Sequence, residues 1–239
     1  MRLDQALVAR GLTESRTEAQ SYILRNWVEI NGVVVTKNNK TVLDTDVLTL
    51  KNKRKFVSRG GDKLLGVLTD IYGNDESIRL HIQGKIALDI GSSTGGFTDC
   101  LLQMGVAHID AVDVGTAQTH ISLLNDNRVA IFESTDIRDF VPKKHYDIIV
   151  ADLSFISLQG TIDTIRKLSN KNTECFLLIK PQFEVGKGNT KKGIVKDEDL
   201  VTEVLSRLEA KCVSIGAKNI KIYKCHIQGG DGNQEYFIY

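Results

Sequence analysis

The chain has 239 residues, 41% of them hydrophobic and 26% charged, with a net charge of +1. That is enough for one large domain, or for a medium domain with a small one. No long uncharged apolar run occurs, and MRLDQALVARG has no apolar core before a small-residue cleavage site, so neither a transmembrane helix nor a signal peptide is expected. Cys100, Cys175, Cys212 and Cys225 show no CxxC or CxxH spacing, and the five histidines are dispersed. This argues for reduced, buried thiols in a cytoplasmic protein without a metal site. Charge is uneven along the chain: residues 1 to 63 hold 12 Lys and Arg against 7 Asp and Glu, a net of +5, and the remainder is −4. A basic front and a mildly acidic body suggest two modules with different partners.

Residues 1–50 read as a small α+β unit. RLDQALVARG gives a short amphipathic helix ended by Gly11. SRTEAQSYILRN opens with Ser15 and has Glu18 three residues later, a capping box, ahead of an apolar stripe of Ala19, Tyr22 and Ile23. VEINGVVV sets Asn31-Gly32 between β-branched residues, a strong hairpin signal, and DVLTL adds a strand. Arg2, Arg10, Arg16 and Arg25 lie on the helices, with Lys37 and Lys40 near the hairpin. Alone, such charges describe a solvated face as well as a nucleic-acid surface. The stretches RLDQAL, SRTEAQSYI, VEINGVVV and DVLTL together resemble the S-four domain, an RNA-binding module of ribosomal-protein type. The resemblance implies that these six cations hold structured RNA through its shape and phosphates.

KNKRKFVSRGG, residues 51–61, is charged and ends in a glycine pair, as a linker does, with Phe56 as a docking point. The body, residues 62–239, begins with the amphipathic SRGGDKLLGVLTDIYG, with Leu64, Leu65, Leu68 and Ile71 inward. KIALDIGSSTGGFTDCLLQMG then gives a strand over 86–90, a turn of Gly91, Ser92, Ser93, Thr94, Gly95, Gly96 and Phe97, and a helix to about Met104. Such a turn lets backbone approach a ligand closely, whether dinucleotide, nucleotide phosphate or methionine-adenosine cofactor. Three details favour the last, S-adenosylmethionine (SAM). Asp89 at the strand end repels pyrophosphate but accepts from an ammonium. No lysine follows the loop to cradle phosphates. HIDAVDVG ends a second strand on Asp113, an acid placed for ribose hydroxyls. Asp136, after VAIFEST, suits an adenine amino group or a helix N-cap. Strands and helices then alternate through YDIIVADL, SLQGTIDTIRKL, CFLLIK and DEDLVTEVLSRLEAKCVSIG, and KIYKCHI and EYFIY close as two successive strands. That pattern predicts an α/β class I SAM-dependent methyltransferase fold, a doubly wound seven-stranded sheet with a late antiparallel insertion.

Ligands of such sheets bind beyond the carboxyl ends of the strands. Asp152 ends IIVAD, and Lys180 ends FLLIK just before Pro181. No cysteine lies near these tips for cytosine-carbon methylation, since Cys175 begins the Lys180 strand at its far end. A ribose hydroxyl must lose its proton as it attacks. Lys180 can take it if a like charge such as Lys63 lowers its pKa, with Asp152 and Glu235 balancing the lysines. VSRGGDKL, DIGSSTGGFTDCLL, VADLSFISL, IKPQFEVGKG and GNQEYF, spanning the body, resemble the TlyA or hemolysin A family of FtsJ-like RNA ribose methyltransferases. The resemblance implies a catalytic tetrad of Lys63, Asp152, Lys180 and Glu235, and a cytidine 2′-hydroxyl of ribosomal RNA as acceptor. Ending at Tyr239, the chain is similar to shorter members, which treat the large subunit alone. A membrane-lytic protein and a non-catalytic ribosome-assembly factor are the competing readings. The first lacks an apolar span, and the second does not need an intact tetrad. Glu184 reads as loop-positioning, Glu235 alternatively as a solubilising charge on an edge strand, and the basic GKGNTKKG stretch as an RNA-facing loop.

Overall fold

A computed structural model describes the whole chain except Glu14, Arg25, residues 52–54 and Lys187. It contains two compact units, Met1–Arg54 and Lys55–Tyr239.

In the first unit, helices α1 (Leu3–Ala9) and α2 (Arg16–Leu24) accompany strands β1 (Val28–Ile30), β2 (Val33–Val34) and β3 (Leu48–Leu50), arranged antiparallel in the order β2-β1-β3. Asn31 (φ 52°) and Gly32 (φ 79°) both occupy the left-handed region, as the tight β1–β2 hairpin requires. The Glu18 N–H donates to Ser15 Oγ at 3.1 Å, so the cap foreseen for α2 forms. Leu3, Leu7, Ala19, Ile23 and Val28 are fully buried as a separate small core.

At its edge lies Asp4, also fully buried. Arg2, Arg16 and Gln20 donate to its carboxylate at 2.9–3.1 Å. The Arg2 hydrogen bonds, against an opposing burial effect, hold this carboxyl far below the usual range. A depressed acid pKa stabilises the folded state above the unfolded value, near 3.9, and the benefit goes as pH falls through the folded value. Asp4→Ala is expected to cost the first unit about 1–3 kcal/mol at neutral pH, read by hydrogen exchange over residues 1–50. The deficit should shrink in strong acid.

The second unit opens with α3 (Arg59–Tyr72) and α4 (Asp75–Ile82). It continues through β4 (Ile86–Ile90), α5 (Gly96–Gln103), β5 (His108–Val112), α6 (Ile121–Leu124), β6 (Val129–Phe132) and β7 (Ile148–Ala151). After a 3-10 turn (Leu158–Gly160) come α7 (Ile162–Leu168), β8 (Glu174–Ile179), α8 (Pro181–Glu184), α9 (Glu198–Ser214), β9 (Ile222–Lys224) and β10 (Tyr236–Ile238). The seven strands lie in the order β6-β5-β4-β7-β8-β10-β9. β4 to β8 are parallel, and β10 is antiparallel to both its neighbours. Side chains alternate between two covered faces: Ile148 and Val150 join a core with Leu64, Leu68 and Leu101, while Ile149 and Ala151 join one with Ile162, Val204 and Leu208.

Several elements differ from the sequence reading. Gly60 and Gly61 lie inside α3, not in the linker, and Phe56 is buried against Gly61. A Cβ on Gly61 would stand 2.4 Å from the Phe56 ring, so glycine is required by that packing. Val67 joins Leu64 and Leu68 on the buried face, whereas Leu65 and Ile71 are only half-buried. The four-residue helix α8 follows Lys180 directly, with Pro181 at its first position, where a missing N–H costs nothing. β10 is interior to the sheet, so Glu235 does not belong to an edge.

Candidate active site

The chain order reverses between β4 and β7, the crevice where such sheets bind ligands. Gly91 leaves β4 with φ 77°, and a Cβ there would meet the Asp152 carbonyl oxygen at 2.6 Å. Gly95 (φ 92°) turns the chain into α5, and Gly96 leaves no room for a side chain beside Ser58. Gly91 and Gly96, with Ser92, Ser93, Thr94, Phe97, Asp89 and Asp152, line a narrow cleft that also touches Ser58, Gly60 and Ser154.

Asp89 is the penultimate residue of β4 and is fully buried. Its Oδ2 accepts from the Thr98 N–H (3.0 Å) and hydroxyl (2.6 Å), whereas Oδ1 is buried with no hydrogen-bond partner among the described residues. Burial first, then the charges of Asp152 and Asp113, outweigh the Thr98 bonds and raise its pKa to about 7. An orphaned carboxylate oxygen beside glycines without side chains suits a cationic ligand lying close to the backbone. Asp113 accepts from Ser93 N–H and Gly115 N–H, both at 2.7 Å, so it shapes the loop as well as presenting charge. Asp136 accepts from the Arg138 N–H and Nε, both at 2.9 Å, within a turn; no helix begins there among the described residues, so the N-cap alternative does not form.

An adjoining cleft of about 550 Å³ shares Asp152, Ser154, Ser58 and Gly60 with the first. Lys63, Lys180 and Glu235 all line it. Sheet register explains the convergence. β7 and β8 run parallel to the same edge, β7 ending at Ala151 opposite Leu177 and β8 running on to Ile179, and they are followed there by Asp152 and Lys180. β10 runs the other way and starts at the same edge; Tyr236 pairs with Ile179, so Glu235 and Lys180 emerge side by side. Lys63 comes from the first turns of α3. Two ion pairs result: Lys180 Nζ to Asp152 Oδ1 at 2.5 Å and Lys63 Nζ to Glu235 Oε2 at 2.5 Å. The second is nearly dry, with exposures of 7% and 3%; the first is partly open, at 11% and 24%. Lys180 also donates to Ser154 Oγ at 2.8 Å. Each lysine thus has its own carboxylate.

Sequence reasoning missed several neighbours. Ser154 and Phe155 stand in the DLSF stretch, and Asn233 in GNQEYF. Gly229 passes so close to Glu235 that a Cβ would lie 2.5 Å from Oε1. A thiol is also nearer than expected: Cys225 donates its backbone N–H to the Glu235 carbonyl. It does not line the cleft, and burial pushes its pKa up to about 12, which keeps it protonated and unlike a cytosine-attacking thiolate. Glu184 accepts from Leu158 N–H (2.6 Å) and Ser157 Oγ (2.7 Å), and so fixes the segment that follows Asp152. In the first unit, Arg2 and Arg16 spend part of their donors on Asp4, and Arg10 bonds the carbonyls of Leu43 and Asp46. Lys37 and Lys40 are exposed, and Arg25 lies outside the described residues.

A doubly wound sheet with this glycine loop at its switch point, and a late antiparallel strand, is the fold of class I SAM-dependent methyltransferases. The chain belongs to the FtsJ-like methyltransferase family, which it matches over residues 56–239, in the branch that includes TlyA and hemolysin A. Residues 1–48 match the S4 domain. The whole chain is 38% identical to Hemolysin A of Brachyspira hyodysenteriae, covering 99% of it. It is 37% identical to the 16S/23S rRNA (cytidine-2′-O)-methyltransferase TlyA of Mycobacterium tuberculosis, again over its full length and 88% of that protein. A solved structure described as a hemolysin, from Streptococcus thermophilus, superposes with a TM-score of 0.74 at 33% identity, covering all of this chain and 86% of that one. Among the described residues no helix is long and apolar enough to cross a membrane.

The raised pKa of Asp89 has a testable sign. A carboxyl whose folded value exceeds its unfolded one favours folding at low pH, and that contribution is lost as pH rises through about 7. Asp89→Asn abolishes this loss. Melting temperatures from pH 4 to 8, without ligand, should show the variant gaining on the wild type by several degrees toward neutral pH. A pH-independent difference would contradict the assignment.

Proposed function

We propose that the protein transfers a methyl group from SAM to the ribose 2′-hydroxyl of a cytidine in ribosomal RNA, acting in the cytoplasm on RNA or a ribosomal subunit. The observation that carries this is the meeting of Lys63, Asp152, Lys180 and Glu235 in one cleft that adjoins the glycine-loop cleft. The activity named for the M. tuberculosis relative supports it.

SAM, when bound, supplies a methyl group on a positively charged sulfur. Asp89 Oδ1 would accept from its ammonium, the backbone from Gly91 to Phe97 would pack along it, and Asp113 would face its ribose. Lys180 Nζ is the proton acceptor: as the 2′-oxygen attacks, its proton passes to that nitrogen, held in place by Asp152 and Ser154. Lys63, fixed by Glu235, keeps a positive charge in the same cleft. That charge stabilises negative charge on the oxygen during attack. Phe155 serves the base. It is 88% exposed at the cleft rim, adopts φ 67°, and lies 5.4 Å from the ring of Phe183. A bulky residue in the left-handed region is strained, and strain of this kind collects at ligand sites. An exposed ring there can stack on a base turned out of the RNA.

The direct test incubates the protein with labelled SAM and undermodified ribosomal subunits and maps the label, which is expected on a cytidine 2′-oxygen. No transfer to any RNA, with lysis of red cells instead, would overturn the reading. Lys180→Ala should retain SAM affinity and lose transfer by about a thousandfold, within the range for a general base. Phe155→Ala should raise KM for RNA about tenfold while leaving SAM affinity unchanged, since stacking on one base contributes about 1–3 kcal/mol.

A further inference from the structure

The segment between α8 and α9 forms a small built feature at the rim of the catalytic cleft. Lys191 and Ile194 exchange backbone hydrogen bonds at 2.9 and 3.1 Å. Lys192 (φ 53°) and Gly193 (φ 79°) between them are both left-handed, as a two-residue hairpin turn requires. Both ends are tied. Asn189 Nδ2 donates to the Val185 carbonyl at 2.6 Å. Asn233, 2% exposed, donates to the Gly193 carbonyl at 2.8 Å and accepts from the Val195 N–H at 3.0 Å. Asn233 stands two residues before Glu235, so the stretch leading into β10 both supplies a cleft carboxylate and latches the hairpin. Thr190 and Gly193 line the cleft itself. Lys191 and Lys192 are exposed at the tip, and neither forms an ion pair among the described residues. They are unpaired cations on a body whose residues from 64 onward sum to −4, a charge that repels RNA.

We infer that residues 189–195 form a phosphate-gripping hairpin: Lys191 and Lys192 contact the RNA backbone next to the target ribose, and Asn233 sets their position over the cleft. The inference rests on the proposed function, because it takes RNA as the occupant of that cleft. The charge and the place of the lysines select phosphate oxygens rather than a base edge, since two ammonium groups on a short rigid turn neutralise a backbone and read no sequence.

The test uses the full-length protein and undermodified ribosomal RNA. Methyl-transfer kinetics give KM and kcat, and filter binding at several salt concentrations gives RNA affinity. The double variant Lys191→Ala, Lys192→Ala should raise KM for RNA about tenfold and lower the slope of log affinity against log salt by about 1.4, the value for two released contacts on a single strand. Its kcat at saturating RNA and its SAM affinity should match wild type, and Lys→Arg at both positions should restore binding. Asn233→Ala should weaken RNA binding with both lysines still present. An unchanged salt slope in the double alanine variant would overturn the phosphate contacts, and unchanged RNA affinity in Asn233→Ala would overturn the latch. If the wild type transferred no methyl group, the proposed function would fall, while the salt slopes would still decide whether the hairpin grips RNA.

Discussion

The Lys180–Asp152 ion pair is the contact on which the site depends, and it exists because β7 and β8 are parallel neighbours that end at the same edge of the sheet. A charged side chain at the tip of a buried strand must be solvated, paired or hydrogen-bonded. Here Lys180 is paired with Asp152 and bonded to Ser154, so an apolar strand ends in a charge without leaving it stranded. Pro181 then removes a backbone donor and opens α8, whose Glu184 fixes the segment beyond Asp152. The two strand tips are thus braced from both sides.

The second pair follows from topology. An all-parallel sheet would bring only strand ends to this edge. Because β10 runs antiparallel between β8 and β9, a strand beginning also lies there, and Glu235 arrives with it. Lys63 meets it from α3, deep enough that neither charge would be tolerated alone. Each lysine is matched by a carboxylate of its own. A cleft can hold such a group away from bulk water and still present a cation to a reacting oxygen. The glycines do the complementary work. Gly91, Gly96 and Gly229 stand where a Cβ would collide with the Asp152 carbonyl, the Ser58 hydroxyl or the Glu235 carboxylate, so backbone packs closely around the clefts at three places.

Much of this was legible in the sequence, because it rests on local signals. The alternating strands and helices, the Asn31-Gly32 turn, the Ser15 cap and the glycine loop after Ile90 are each encoded within a few residues of where they act. The four charged residues were legible as charges at strand ends or in short motifs. Their pairing was not, since that Glu235 faces Lys63 while Asp152 faces Lys180 follows from strand order, a long-range property. Helix α8 was hidden for a different reason: four residues after a proline carry no periodicity to read. The glycine pair at 60–61 looked like a linker because glycine marks both turns and close packing, and only the Phe56 ring shows which applies. Asp89 reads in the sequence as a cofactor acid, whereas its full burial and its two bonds from Thr98 depend on where α5 lies against β4, which no local signal encodes.

If Lys63 and Lys180, each with its carboxylate, form one chemical unit, their contributions cannot be independent. Single-turnover methyl transfer, measured for Lys63→Met, Lys180→Met and the double variant at saturating SAM and RNA, tests this directly. The account predicts that the double variant is about as slow as the slower single variant. If the two losses multiply, the lysines act separately and the four-residue unit is wrong.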